Sequence, residues 1–201
     1  MKSLPAGVQT ALEARAITMR DFIRIIGRDR TTGDPVEYGV WSDLGAVSAQ
    51  VVDPATGIDV TRSFDGAGGL VSVAPVPMTS TTAVSEITVT FSQLADVNEL
   101  LRAYDIRQAR IEIYRGIFTP ALVQIAPAFP RFVGFVDELE VKTPEENSDG
   151  SVPMTCVSQW QEMSRTNPAT RSDANMRKRS PGDTFARHAA SVGEWELLWG
   201  V

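Results

Sequence analysis

The sequence predicts a mainly β protein, built as barrel or sandwich modules with a helix beside the sheet. Three observations carry that expectation. Short apolar runs, roughly eight to ten of them, recur between turns rich in Gly, Pro, Asp and Thr. One run, residues 86–91, alternates without a break. Ile87, Val89 and Phe91 fall on one side and Glu86, Thr88 and Thr90 on the other, which is the period of a half-buried strand. The best helical period is confined to one place, where Val97, Leu100, Leu101 and Tyr104 stand at i, i+3, i+4 and i+7.

Residues 3–15 read as a short helix. Ser3 is placed to cap it, Pro5 is tolerated in the first turn, and Leu4, Val8, Ala11 and Leu12 share a face. Residues 21–26 are a strand, with Phe22, Ile23, Ile25 and Ile26 in a nearly continuous apolar run. After the turn Thr31-Thr32-Gly33-Asp34-Pro35 the strand resumes over 38–41. Residues 47–52 and 59–64 flank Asp53-Pro54-Ala55-Thr56-Gly57. Pro54 suits the second turn position and Gly57 a left-handed one, so this is a hairpin.

Asp65-Gly66-Ala67-Gly68-Gly69 breaks the chain before a short strand at 70–73, and 74–82 reads as loop. Beyond the 86–91 strand, the helix covers 95–104 and a strand follows at 109–115 with Ile111 and Ile113 inward. Residues 118–130 read as a long Pro-bearing loop and 132–141 as a strand. An acidic hairpin tip at 143–150 leads to a return strand over 151–159, with Val152, Met154 and Cys156 inward. After Trp160 the chain turns polar over 164–180. A short helix at 181–190 and an apolar tail at 194–199 complete it. Three parts result: an N-terminal helix (1–18), one or two β modules with a split near residue 85 (19–162), and a C-terminal arm (163–201).

Composition narrows the functions. Apolar residues make up 43% and charged residues 22% of the 201, so the chain folds rather than remaining disordered. The net charge of −6 makes it a poor wrapper of nucleic acid, which is bound by Lys and Arg. It suits a surface that DNA passes without sticking. The single cysteine, Cys156, excludes an internal disulfide and any thiolate zinc or iron–sulfur site made within the chain. No apolar run is long enough for a signal peptide or a membrane span, so folding in the cytoplasm of the producing cell is expected, with no membrane partner.

An enzyme is not expected, and neither is a metal or other cofactor. The one histidine, His188, lies in Phe185-Ala186-Arg187-His188 and reads as a surface or interface residue. Neither Gly-x-Ser-x-Gly nor a phosphate-cradling loop ending in Gly-Lys-Ser/Thr occurs. Asp65-Gly66-Ala67-Gly68-Gly69 lacks a helix and a Lys behind it, so it reads as a tight turn. Asp137 and Glu138 are strand neighbours on opposite faces and do not converge as catalytic carboxylates. Cys156 reads as a small core hydrophobe. The stripe Val97, Leu100, Leu101, Tyr104 reads as a helix packed on its own sheet or, less simply, as a partner site.

The C-terminal part holds the candidate interface residues. Arg177, Lys178 and Arg179 form a basic run in an acidic chain, marking a solvated face or a contact to an acidic neighbour. Phe185, Trp195, Leu197, Leu198 and Trp199 are too apolar to be left in water at a chain end. They dock either on this subunit or on a partner.

Several segments carry a family resemblance: Leu4-Pro5-Ala6-Gly7-Val8 before an Ala-rich helix; Phe129-Pro130-Arg131-Phe132-Val133-Gly134-Phe135-Val136-Asp137; Ser164-Arg165-Thr166-Asn167-Pro168; and Pro181-Gly182-Asp183-Thr184-Phe185 with Gly193-Glu194-Trp195 and Trp199-Gly200. Together they resemble tail proteins of long-tailed bacteriophages and gene-transfer-agent particles, above all the small baseplate hub, or tail-tip, proteins. That resemblance implies tail-tube-like β-barrel modules, each with a helix beside its sheet. It implies a ring of copies, a trimer ahead of a hexamer, that caps the tail tube at the tip of the virion. The implied partners are other copies of the chain, a distal tail protein, and a host-recognition or central fibre protein, with DNA only as passing cargo. Several proteins of this kind hold an iron–sulfur cluster on a Cys-rich C-terminal segment; with Cys156 alone, none is expected here. The rival readings are a distal tail protein in a hexameric ring, a small cell-wall hydrolase, and a carbohydrate-binding module of the tail.

Overall fold

In a computed structural model of the chain, the residues described are 5–15, 17–67, 71–77, 83–92, 103–142, 144, 146, 150–166, 172–189, 191 and 194. They form two compact units, residues 1–163 and 164–201. The first begins with helix α1 (Ala6–Glu13). Nine strands follow: β1 (Thr18–Asp29), β2 (Pro35–Trp41), β3 (Val47–Val52), β4 (Asp59–Gly66), β5 (Val71–Val73), β6 (Glu86–Ser92), β7 (Tyr104–Phe118), β8 (Gln124–Leu139) and β9 (Ser151–Ser158). Two short helices, α2 (Gln161–Ser164) and α3 (Asp173–Arg179), come after them. The fold is mainly β, as the sequence predicts.

The strands lie in one sheet of order β3-β4-β2-β1-β7-β8-β9-β6-β5, and β3 also pairs with β8. Six strands therefore close a barrel, while β9, β6 and β5 continue from β8 as a three-stranded flap. Closure is economical: β3 meets β8 at Val51–Ala128, and β2 meets β4 at Val40–Asp65 and Trp41–Gly66.

The middles of β1 and β7 are buried on both faces, which explains the nearly continuous apolar run at 22–26. Inward residues Phe22, Trp41, Ala49, Val51, Phe64, Tyr114, Phe118 and Ala128 fill the barrel. Their outward neighbours Ile23, Ile25, Val40, Ile111, Ile113 and Phe132 join Ile87, Val89, Phe91, Met154 and Cys156 in a second core. The flap is thus folded back against the outer wall of the barrel. Full burial of each such side chain contributes about 1.5–3 kcal/mol.

Two strands match the sequence reading closely. β6 buries Ile87, Val89 and Phe91 in alternation, and Val152, Met154 and Cys156 of β9 point into the same core. The 53–57 hairpin turn is also as expected, with Gly57 at φ +72.

Other expectations need correction. The loop expected over 118–130 is mostly strand: the chain turns at 119–123 and β8 runs from Gln124. Pro127 and Pro130 are tolerated because the pairing with β7 shifts register around them, where a missing N–H breaks no regular ladder. β7 is also longer than expected, starting at Tyr104, which opens a strand instead of closing a helix. The remaining stripe Val97, Leu100 and Leu101 lies outside the described residues. In α1 the N-cap position is held by Pro5, without a side-chain cap; Ser3 and Leu4 lie outside the described residues. Only Val8 of α1 is buried. The acidic tip at 143–150 falls largely outside the described residues, with Pro144 and Glu146 exposed between β8 and β9.

In the second unit, a helix appears within the stretch that the sequence reads only as polar. Ser172 caps α3, its Oγ accepting from Asn175 N at 3.4 Å. Arg177, Lys178 and Arg179 occupy its last turn, where cations complement the helix dipole. The helix expected at 181–190 is instead a run of turns over its described residues, with Arg187 N bonded to Thr184 O and Ala189 N to Ala186 O.

Candidate functional site

The barrel interior is divided by chemistry. At one end Trp41 stacks on Phe22 (centroids 5.8 Å apart, planes 8° apart), and Phe64 lies 4.8 Å from Phe22. Trp41 Nε1 donates to Gly45 O at 2.7 Å, which satisfies its one polar atom. One step along the same inward face the register sets Arg24 opposite Glu112. Arg24 Nη1 donates to Glu112 Oε2 at 2.8 Å, Tyr114 OH donates to the same oxygen at 2.5 Å, and Arg110 Nε donates to Oε1 at 2.8 Å. Arg24 also makes a two-pronged pair with Glu37. Arg62 completes the cluster, 3.3 Å from Asp53 and 3.9 Å from Glu37. It does so on the stretch of wall where β2 and β4 have no ladder.

Glu112 is almost fully buried. Burial opposes its charge, but hydrogen bonds from Tyr114 and Arg24 and the nearby guanidinium outweigh it and hold the carboxyl below its ordinary value. Burial and the bond to Glu112 push the Tyr114 phenol well up. Burial likewise disfavours the Arg24 charge, and the bonds to Glu37 and Glu112 more than restore it. Each Glu112 oxygen accepts at least one donor, so the cluster is a hydrogen-bonded ionic plug in the barrel. Sequence reasoning missed it. Its trace is a single charged residue inside an apolar run, Arg24 in 22–26 and Glu112 in 111–114.

A groove of about 680 Å³ opens on the first unit. It lies where β8 leaves β3 at Ala128 and takes up β9 from Gly134. Arg131, Phe132 and Val133 of β8 line it beside Trp160, Glu162 and Met163, and Val76, Pro77, Ala83 and Ser85 belong to its described lining. Trp160 is 47% exposed and Met163 74%. The groove carries the Arg131–Val133 part of the Phe129–Asp137 segment, and Trp160, which the sequence marks only as the point where the chain turns polar, lies beside it.

Of the interface residues expected from the sequence, Arg177, Lys178 and Arg179 are exposed together on α3, and Phe185 is 90% exposed. Arg177 Nε lies 3.0 Å from Asp173. Trp195, Leu198 and Trp199 lie outside the described residues, as does Leu197. Asp137 and Glu138 are exposed at a bulge in β8. The two units differ in charge. Residues 164–201 hold six Lys and Arg against four Asp and Glu, a net +2; residues 1–163 hold thirteen against twenty-one, a net −8.

No family model matches the chain, and no curated protein matches it. Among solved structures it is similar to a chain described as "Virion of native gene transfer agent (GTA) particle", at 12% identity and a TM-score of 0.49. The match covers 84% of this chain and 50% of that one, so this chain spans about half the length of its structural neighbour.

Proposed function

We propose that the chain is a non-enzymatic structural subunit of a tailed-phage or gene-transfer-agent type virion, working as a baseplate hub ring that caps the tail tube. The observation that carries this reading is the solid barrel. Its interior is filled by aromatic side chains and the Arg24–Glu112 plug, so partners must be engaged through outer surfaces and rims. The segments that resemble tail-tip proteins support the same reading, and Phe129–Asp137 among them forms the middle of β8.

The charge split supports assembly from copies. A closed ring reuses one heterologous interface, so each copy must offer two complementary patches. The basic 164–201 unit and the acidic 1–163 unit are such a pair, and the exposed Phe185 supplies an apolar contact. The partners proposed are other copies in a trimer, the distal tail protein and a host-recognition or central fibre protein, at the tail tip.

The test is the stoichiometry of the ring in assembled particles, by mass or by density at the tail tip. Three copies support the hub; six would overturn it in favour of a distal tail protein. Deleting 183–201 asks whether the second unit acts between copies. A truncated protein that stays folded but drops out of particles supports that role, while one that unfolds overturns it. Reproducible turnover of peptidoglycan or polysaccharide, lost on replacing His188 or Asp137, would overturn the non-enzymatic reading.

A further inference from the structure

We infer that the groove at the β8 fork is the socket of the assembly contact, and that its occupant is the 194–199 segment of a second copy. This deepens the proposed function and rests on it.

The groove has the composition of an interface hot spot. Trp, Met and Arg are the residue types enriched at such sites, and here Trp160, Met163 and Arg131 line one cleft. Its 680 Å³ lies in the ~300–1,000 Å³ span of binding clefts. Phe132 and Val133 form an apolar wall, and a large side chain lodged there would shield Trp160 from water.

Charge selects the occupant. Arg131 is partly buried and is one of thirteen cations in a unit of net charge −8. Among the described lining residues the other charge is Glu162. An incoming carboxylate is therefore attracted at Arg131. The chain carries one segment that combines large apolar side chains with carboxylates near its end: Glu194-Trp195-Glu196-Leu197-Leu198-Trp199. Glu194 and Glu196 bracket Trp195, so either can meet Arg131 while apolar side chains enter the cleft. The occupant comes from a second copy because a ring needs a plug on one subunit and a socket on the next.

The experiment is sedimentation of the full-length chain over a concentration series, with circular dichroism on every variant. The wild type is expected to gain mass with concentration. Arg131→Glu and Trp160→Ala each weaken self-association by about tenfold or more. Glu194→Arg with Glu196→Arg does the same, and Arg131→Glu in that background restores it. As a second measurement, a labelled peptide of residues 191–201 binds the full-length chain, and Arg131→Glu weakens its binding.

A wild type that stays monomeric at all concentrations overturns the inference. So does a charge swap that fails to restore association in folded variants, or an acidic oligosaccharide that displaces the peptide and occupies the groove. Particles whose ring is intact with Arg131→Glu would also overturn it, while leaving the hub reading standing.

Discussion

The two cores share strands β1, β2, β7 and β8 and hold together differently. Residues 22, 24, 112 and 114 look into the barrel; residues 23, 25, 111 and 113 look out toward the flap. The barrel core is aromatic and ends in an ion cluster, whereas the flap core is aliphatic and sulfur-bearing. A barrel closed by few ladder bonds needs directional contacts where the ladder is missing, and Arg62 supplies one between β4 and β2, 3.9 Å from Glu37; Arg24 and Glu112 reinforce β1 and β7, which a ladder already joins. The flap is held by antiparallel ladders, β6 to β9 without a break and β9 to β8 with one bulge, so non-directional packing is enough.

Removing one partner from the plug is the most direct way to break this contrast. Glu112→Ala strands the Arg24 charge and the Tyr114 hydroxyl in the barrel, and denaturant unfolding is expected to show a loss of about 3–5 kcal/mol. Replacing both members, Arg24→Met with Glu112→Leu, is expected to cost less than Glu112→Ala alone. If the double variant is the worse of the two, the plug contributes net stability and is more than a register device.

Acid sharpens the same distinction. The folded carboxyl of Glu112 is held below its ordinary value, so its stabilisation is complete above the unfolded pKa of about 4.5. It is lost as pH falls through the lower folded value. Trp41 fluorescence is expected to report acid loosening of the barrel, and Glu112→Gln to flatten that pH dependence. A variant with an unchanged acid midpoint would place the acid response elsewhere.

A third way acts on the seam where the flap joins the barrel, the pairing of β8 with β9. A Cβ on Gly134 would sit 2.0 Å from Val157 O, where β8 and β9 cross at close approach. Gly134→Ala is expected to cost about 1–3 kcal/mol. Burial pushes the Cys156 thiol up to about 12, so in the folded protein it resists thiol reagents near neutral pH. Gly134→Ala is expected to speed Cys156 labelling before Trp41 fluorescence changes. Simultaneous changes would mean that the two cores open as one unit.

The smallest effect belongs to the second unit. Asp173→Ala removes a part-exposed i,i+4 pair with Arg177 in the second unit, and thermal unfolding of the first unit is expected to shift by no more than about 0.5 kcal/mol equivalent.

Much of the fold was legible because side-chain period is local. Ile87, Val89 and Phe91 declare a strand with one buried face, and Asp53-Pro54-Ala55-Thr56-Gly57 declares its turn. Cys156 shares its alternation with Val152 and Met154, so its inward aim could be read directly. The basic run could be read as exposed, although the helix that carries it has no apolar face to announce it.

What only the tertiary structure decided is which buried faces meet. Arg24 and Glu112 are 88 residues apart, and neither sequence neighbourhood names the other; alone, each looks like a flaw in an apolar run. Pro127 and Pro130 argue against a strand until the shifted register with β7 relieves them of donating. Trp160 looks like the end of a core strand until the parting of β3 and β9 from β8 leaves a groove beside it. Periodicity records that a residue faces inward or outward. The identity of the opposite wall depends on chain closure across long sequence separations, and no local pattern encodes it.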